Sequence, residues 1–82
     1  MNKFVKDRHD AFVSAIIDDK WDKVIKYAKK YGAPIPKTER AMKAGVYKAA
    51  QYCTDLDEET KAIARAKCIG LGMSPYIDWE EK

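Results

Sequence analysis

The feature that most constrains this chain is the stretch of residues 18–36, DDKWDKVIKYAKKYGAPIP, which contains one strongly amphipathic helix. Its apolar residues recur every three or four positions, and this spacing places them on one stripe of an α-helix. The residues of the stripe are Trp21, Val24, Ile25, Ala28 and Tyr31. Lysines occupy the opposite face, which is therefore expected to be in water. Because one helix cannot bury its own stripe, the rest of the chain must supply the cover.

The same stretch carries signals for both ends of this helix. Asp18 or Asp19 is expected to cap its start by accepting a hydrogen bond from a free backbone N–H group. Gly32 is expected to end it in the left-handed conformation. These signals predict a second helix over residues 20–31, and they leave almost no linker after the first helix. The first two helices should therefore form a tight antiparallel hairpin or one bent helix.

Two helices are predicted after this stretch and one before it. The first covers residues 2–17, with Asn2 as its cap. The third begins at Thr38, and its stripe is Met42, Val46, Ala49, Ala50 and Cys53. The fourth follows the acidic residues 54–59, which suit the start of a helix. Its predicted stripe is Ala62, Ile63, Ala66, Ile69 and Met73.

The connector between the second and third helices is stiff, because it contains Pro34 and Pro36. Ile35 lies between the two prolines, and we expect it to fill part of the core. Gly45 lies beside the stripe of the third helix. A glycine there costs about 1 kcal/mol relative to alanine, so we expect it to permit the close approach of a neighbouring helix.

These elements predict an all-α fold: a small bundle of four helices arranged as two helical hairpins, plus a short C-terminal helical turn. The turn would bring Tyr76, Ile77 and Trp79 back onto the bundle. A chain of 82 residues is expected to form a single helical domain over residues 1–82. We expect a monomer or a weak homodimer.

The sequence offers little for catalysis or for holding a cofactor. His9 is the one histidine, and Cys53 and Cys68 are the two cysteines. No CxxC pair and no phosphate-binding glycine motif is present, and structural zinc needs about four ligands. We therefore expect no metal, no cofactor and no enzymatic activity. A cysteine paired with His9 would form a nucleophile only if the fold brought the two together.

The expected location is the cytoplasm. No apolar run approaches the roughly 18 residues that suggest a membrane span, and the N-terminal residues 1–12 carry charges where a signal peptide needs an apolar core. Both cysteines are accordingly expected to be reduced and buried.

Positive charge is concentrated in the middle of the chain. Residues 20–48 contain nine lysines and arginines but only two acidic residues. Residues 54–82 contain four lysines and arginines and seven acidic residues. If the connector places the second and third helices side by side, their exposed faces would form one basic, aromatic patch. The candidate binding residues are Lys23, Lys26, Tyr27, Lys30, Arg40, Lys43 and Tyr47.

Two functions are consistent with this surface. The first is a small non-catalytic accessory or interaction protein that binds another macromolecule, most readily an unknown protein partner, through its helical surface. The alternative is an electrostatic nucleic-acid-binding protein, with lysines on phosphates and tyrosines stacked on bases. A lysine face that only keeps the protein in solution explains the same residues. An enzyme using His9 with Cys53 or Cys68 is the third hypothesis.

Overall fold

Four helices account for most of residues 2–75, which are the residues that the computed structural model describes. They are α1 (Lys3–Asp18), α2 (Asp22–Tyr31), α3 (Glu39–Ala50) and α4 (Glu58–Gly70). The all-α prediction is confirmed. Within this described part, every helix is too short or too polar to cross a membrane. The predicted C-terminal turn, with Tyr76, Ile77 and Trp79, lies outside the described residues.

Side-chain caps define the starts of three helices. Asn2, Thr38 and Asp57 each accept a hydrogen bond from the backbone N–H three residues further along, at 2.9, 3.1 and 2.9 Å respectively. Such a cap typically stabilises a helix by about 1 kcal/mol. The cap predicted at Asn2 and the start of the third helix predicted at Thr38 are confirmed.

The junction between α1 and α2 differs from the predicted cap. Asp19 follows the end of α1 in the left-handed conformation (φ 56°), and its carboxylate accepts a hydrogen bond from Trp21 Nε1 at 2.9 Å. Trp21 precedes α2, which has no side-chain cap at that end. The prediction that Asp18 or Asp19 caps α2 is therefore wrong, because Asp19 instead reverses the chain. This reversal produces the predicted hairpin of α1 and α2.

The helices form two hairpins that meet along α1. Helix α1 packs on α2, α3 and α4, and α3 packs on α4. Ala15 and Ile16 of α1 are completely buried between the hairpins, together with Ala50 of α3 and Ala64 of α4. Small side chains at such positions let helix backbones approach closely. Within residues 2–75, no Cα atom of α2 lies within 8 Å of a Cα atom of α3.

The buried face of α4 overlaps the predicted one only in part, since Ile63 and Met73 of the predicted stripe pack against the core. The predicted stripe includes Ala62, Ala66 and Ile69, yet these residues are exposed and Ile69 reaches 61 %. The buried face contains Ala64 and Cys68 instead. The core at this point accepts small side chains, so the larger isoleucine lies outside.

A polar link joins α1 to the turn between α3 and α4. Arg8 Nη2 donates to Asp55 Oδ1 at 2.9 Å, and the Asp55 side chain is only 11 % exposed. His9 Nδ1 lies 3.3 Å from the other carboxylate oxygen, without hydrogen-bond geometry. Burial acts to raise the pKa of Asp55, but hydrogen bonds from its own backbone and from Arg8 outweigh burial and lower that pKa. The link therefore favours the ionised carboxylate.

We predict that Asp55→Asn lowers the free energy of unfolding at pH 7 by about 2 kcal/mol, because it leaves the Arg8 guanidinium without its partially buried acceptor. The folded-state pKa of Asp55 is lowered, so its contribution is present above the unfolded value of about 3.9. That contribution is lost as the pH falls through the folded-state pKa. Urea unfolding measured from neutral pH to about pH 2 checks both statements.

Asp10→Asn is the matched control, because Asp10 pairs with Lys6 at 3.0 Å on the surface. Exposed pairs of this kind contribute at most about 1 kcal/mol. The role given to Asp55 would be contradicted if the two variants lost equal free energy of unfolding. It would also be contradicted if Asp55→Asn left the acid unfolding transition of the wild type unchanged.

Candidate functional site

An apolar groove of about 430 Å³ lies between α2 and α3. It exists because α2 packs on α1 and not on α3. Its floor and walls come from all three of these helices and from the connector. The lining residues are Phe12, Val24, Ile25, Tyr27, Ala28, Ala33, Pro34, Ile35, Pro36, Met42, Gly45, Val46 and Ala49. None of these side chains carries a charge.

The connector forms one wall of the groove. Gly32 ends α2 in the left-handed conformation (φ 73°), and the Ala33 N–H donates to Ala28 O at 2.9 Å. Ile35 lies between the prolines and is 42 % exposed. The prediction that Ile35 fills the core is wrong. The connector runs over the surface from α2 to α3, so its side chains reach only the rim of the space between them.

Gly45 lies on the α3 wall of the groove. A Cβ atom added there would meet no atom of a neighbouring element within 4 Å. No helix approaches this glycine within the described part of the chain, so the predicted close approach is wrong. The absent side chain instead leaves the groove wider at this position.

A second, polar cleft of about 310 Å³ lies between α1 and α2. It contains all four predicted site residues of α2, together with two carboxylates of α1. Its lining residues are Asp7, Asp10, Lys23, Lys26, Tyr27 and Lys30. The structure therefore brings together the α2 part of the predicted patch.

The carboxylates neutralise most of the charge of this lysine cleft. Asp7 Oδ2 accepts hydrogen bonds from the Tyr31 hydroxyl at 2.7 Å and from Lys30 Nζ at 2.9 Å. These bonds lower the pKa of Asp7, and the bond to Asp7 raises the pKa of Lys30. Both groups are therefore charged at neutral pH. Three lysines facing two carboxylates leave one net positive charge in the cleft.

Tyr27 is not the exposed stacking ring that the sequence predicts. It is half-buried against the core. Its ring stacks on Phe4 with centroids 5.7 Å apart, and Tyr31 lies 5.1 Å away. Burial raises the pKa of Tyr27. Because its ring already packs against two others, little of it is left for a nucleic-acid base.

The α3 part of the predicted patch does not join the lysine cleft. Arg40 lies across the end of α4, where its guanidinium donates to Leu71 O at 2.7 and 3.2 Å. Lys43 is half-buried, and its ammonium group lies 3.5 Å from Glu39 and 5.8 Å from the centroid of the Trp21 ring. The prediction of one continuous patch is therefore wrong. The physical reason is that α3 faces α2 with apolar residues and directs these cations elsewhere.

Tyr47 is buried, with 3 % of its surface exposed. Its ring meets Trp21 edge-on with centroids 5.9 Å apart, and burial raises its pKa. The prediction that Tyr47 lies on a binding surface is wrong. On α3, Met42 and Val46 line the groove, so the next face around the helix, which carries Tyr47, faces the core.

The two cysteines are buried and free. Cys53 Sγ donates to Ala49 O at 3.4 Å, and Cys68 Sγ donates to Ser74 O at 3.3 Å. Burial raises the pKa of both thiols, whereas a nucleophilic cysteine requires a lowered pKa. His9 lies near Asp55. No three or more His, Cys, Asp or Glu residues within 2–75 lie where they could hold a metal ion.

The groove is the feature that the sequence alone did not reveal. Its walls are made from residues that helical periodicity assigns to the core, such as Ile25 and Met42, both of which are only half-buried. Periodicity shows which face of a helix is apolar, but not whether a neighbour covers it. The sequence feature that could have indicated the groove is the pair of prolines after α2, because a stiff connector holds α3 at a distance from α2.

We predict that Gly45→Ala raises the free energy of unfolding by about 1 kcal/mol. Alanine is the better helix former, and the added methyl group meets open space. Gly32→Ala should instead destabilise the protein, since Gly32 has a positive φ of 73°. Urea unfolding of both variants provides the measurement. A loss of stability in Gly45→Ala would mean that the groove wall is packed rather than open.

Comparisons of this chain with protein-family models, with curated proteins and with solved structures found no match. Function must therefore be inferred from the apolar groove and the lysine cleft. These two surfaces adjoin at Tyr27 of α2, which lines both, and they differ in the chemistry that they offer to a partner.

Proposed function

We propose that this chain is a non-catalytic interaction protein that binds another protein through the apolar groove between α2 and α3. The observation that carries the proposal is a groove of about 430 Å³ in which no lining residue from the described part of the chain is charged. Apolar surface left in water costs about 25 cal/mol per Å². Concave, mostly apolar clefts are a common form of binding site.

The composition of the groove favours a protein over a nucleic acid. Nucleic-acid binding derives much of its affinity from phosphates that meet lysine and arginine, and none of these residues lines the groove. Protein interfaces have an apolar centre with a polar rim. Ile25 and Met42 provide such a centre, because each is half-buried and lines the groove, and Ile35 adds an exposed apolar side chain at its rim.

The lysine cleft supports the alternative, nucleic-acid binding, less well. Lys23 and Lys26 form no ion pair with any of residues 2–75, so both could contact phosphates. Lys30, however, is paired with Asp7, and two carboxylates within the cleft would repel a phosphate backbone. Arg40 and Lys43 are engaged elsewhere. Nucleic-acid binding is therefore the less favoured function, and the experiment below distinguishes it from protein binding.

The test compares capture by Gly45→Glu with capture by the wild type, in lysate of the source cells with and without nuclease treatment, at low and high salt. Gly45→Glu places a carboxylate on the groove wall where space is open, and glutamate favours a helix more than glycine does. Ala62→Glu is the matched control, since Ala62 is an exposed residue of α4. Circular dichroism and urea unfolding establish that both variants are folded.

We expect the wild type and Ala62→Glu to capture one discrete protein and to retain it at high salt. Gly45→Glu should lose this protein. Retention of the same protein by Gly45→Glu would overturn the proposal. Recovery of nucleic acid alone, lost at high salt and after Lys23→Glu with Lys26→Glu, would establish the electrostatic alternative in its place. The cytoplasmic location and the monomeric or weakly dimeric state remain predictions from the sequence.

A further inference from the structure

We infer that the ligand of the groove is an amphipathic α-helix of the partner protein, with apolar residues at i, i+4 and i+7 and with acidic residues on its flanks. This inference rests on the proposed function and adds the conformation, the spacing and the charge of the bound segment.

The backbone of the groove argues against an extended ligand. A peptide that adds a strand needs a row of free N–H and C=O groups. Along the connector, Pro34 and Pro36 have no N–H group, and the Ala33 N–H is already bonded to Ala28. The rest of the lining presents apolar side chains from helices. A helix satisfies its own backbone hydrogen bonds, so it can bind such a groove with side chains alone.

The length of the groove sets the spacing. On α3, the lining residues run from Met42 to Ala49, which is about 10.5 Å at a rise of about 1.5 Å per residue. Apolar residues at i, i+4 and i+7 of a ligand helix span the same length. Two turns of an amphipathic helix therefore match the wall that α3 provides.

The charges beside the groove set the flanks of the ligand. Lys29 directly follows Ala28, and Lys37 directly follows Pro36, and both of these preceding residues line the groove. Both lysines are exposed, and neither is ion-paired with another of residues 2–75. Among residues 2–75, no Asp or Glu lines the groove itself. A carboxylate on either side of the ligand's apolar stripe could thus pair with one of these lysines.

The test uses three labelled synthetic peptides of about 15 residues, near the length at which an isolated helix begins to form. The acidic probe has leucines at i, i+4 and i+7 and glutamates on its flanks. The basic probe has the same leucines and lysines on its flanks. The scrambled probe has the composition of the acidic one without its helical stripe. Fluorescence anisotropy measures the affinity of each peptide for the full chain.

We expect the acidic probe to bind roughly tenfold more tightly than either of the others, a difference well resolved by this method. Gly45→Glu should abolish its binding, whereas Ala62→Glu should not. Lys29→Glu with Lys37→Glu should weaken the acidic probe and strengthen the basic one. Lys3→Glu with Lys20→Glu is the matched control, because it changes the net charge equally at two exposed lysines outside the lining.

Equal binding of the scrambled and acidic probes would overturn the inference, as would acidic-probe binding that Gly45→Glu leaves unchanged. Sedimentation that finds a wild-type dimer, absent in Gly45→Glu, would overturn it by making a second copy of this chain the occupant. Failure of all three probes, with a captured protein still lost in Gly45→Glu, would overturn the helical ligand and leave the proposed function standing. If that capture also survives in Gly45→Glu, both proposals fail.

Discussion

The structure depends on the burial of α1 between the two hairpins. Ala15 and Ile16 are completely buried where α1 meets α3 and α4, and Phe12 extends this contact into the core. Burying a large aliphatic side chain contributes roughly 1.5–3 kcal/mol, and dense packing makes that contribution sensitive to shape. Each hairpin alone would leave one apolar face in water, so neither is expected to be stable without the other.

The groove is a direct consequence of this arrangement. Helix α2 packs mainly on α1, and a connector with two prolines separates it from α3. The apolar faces of α2 and α3 are directed toward each other, but the connector keeps the two helices apart. The missing side chain of Gly45 widens the gap further. The isolated protein therefore keeps the apolar groove in water, although a closer approach of α2 and α3 would bury it.

Part of the charge in this protein serves its own fold. Lys30 is bonded to Asp7, Arg8 to Asp55 and Arg40 to the carbonyl of Leu71. Each of these contacts joins two different elements of the bundle. The excess of lysine and arginine in residues 20–48 is consequently a poor measure of the field that a partner would experience. How much of this positive field remains depends on which opposite charges lie close together, and composition does not record that.

The sequence by itself determined the helices, because periodicity and capping are local. The stripe of α2, the caps Asn2 and Thr38 and the stop at Gly32 all act within a few residues of one another. Tertiary structure decided which apolar faces are covered: Tyr47 is buried, whereas Ile35 lies at a rim. It also decided that the cations of α3 turn away from those of α2. These outcomes depend on how helices pack across long sequence separations, and the spacing of residues within one helix carries no information about its neighbours.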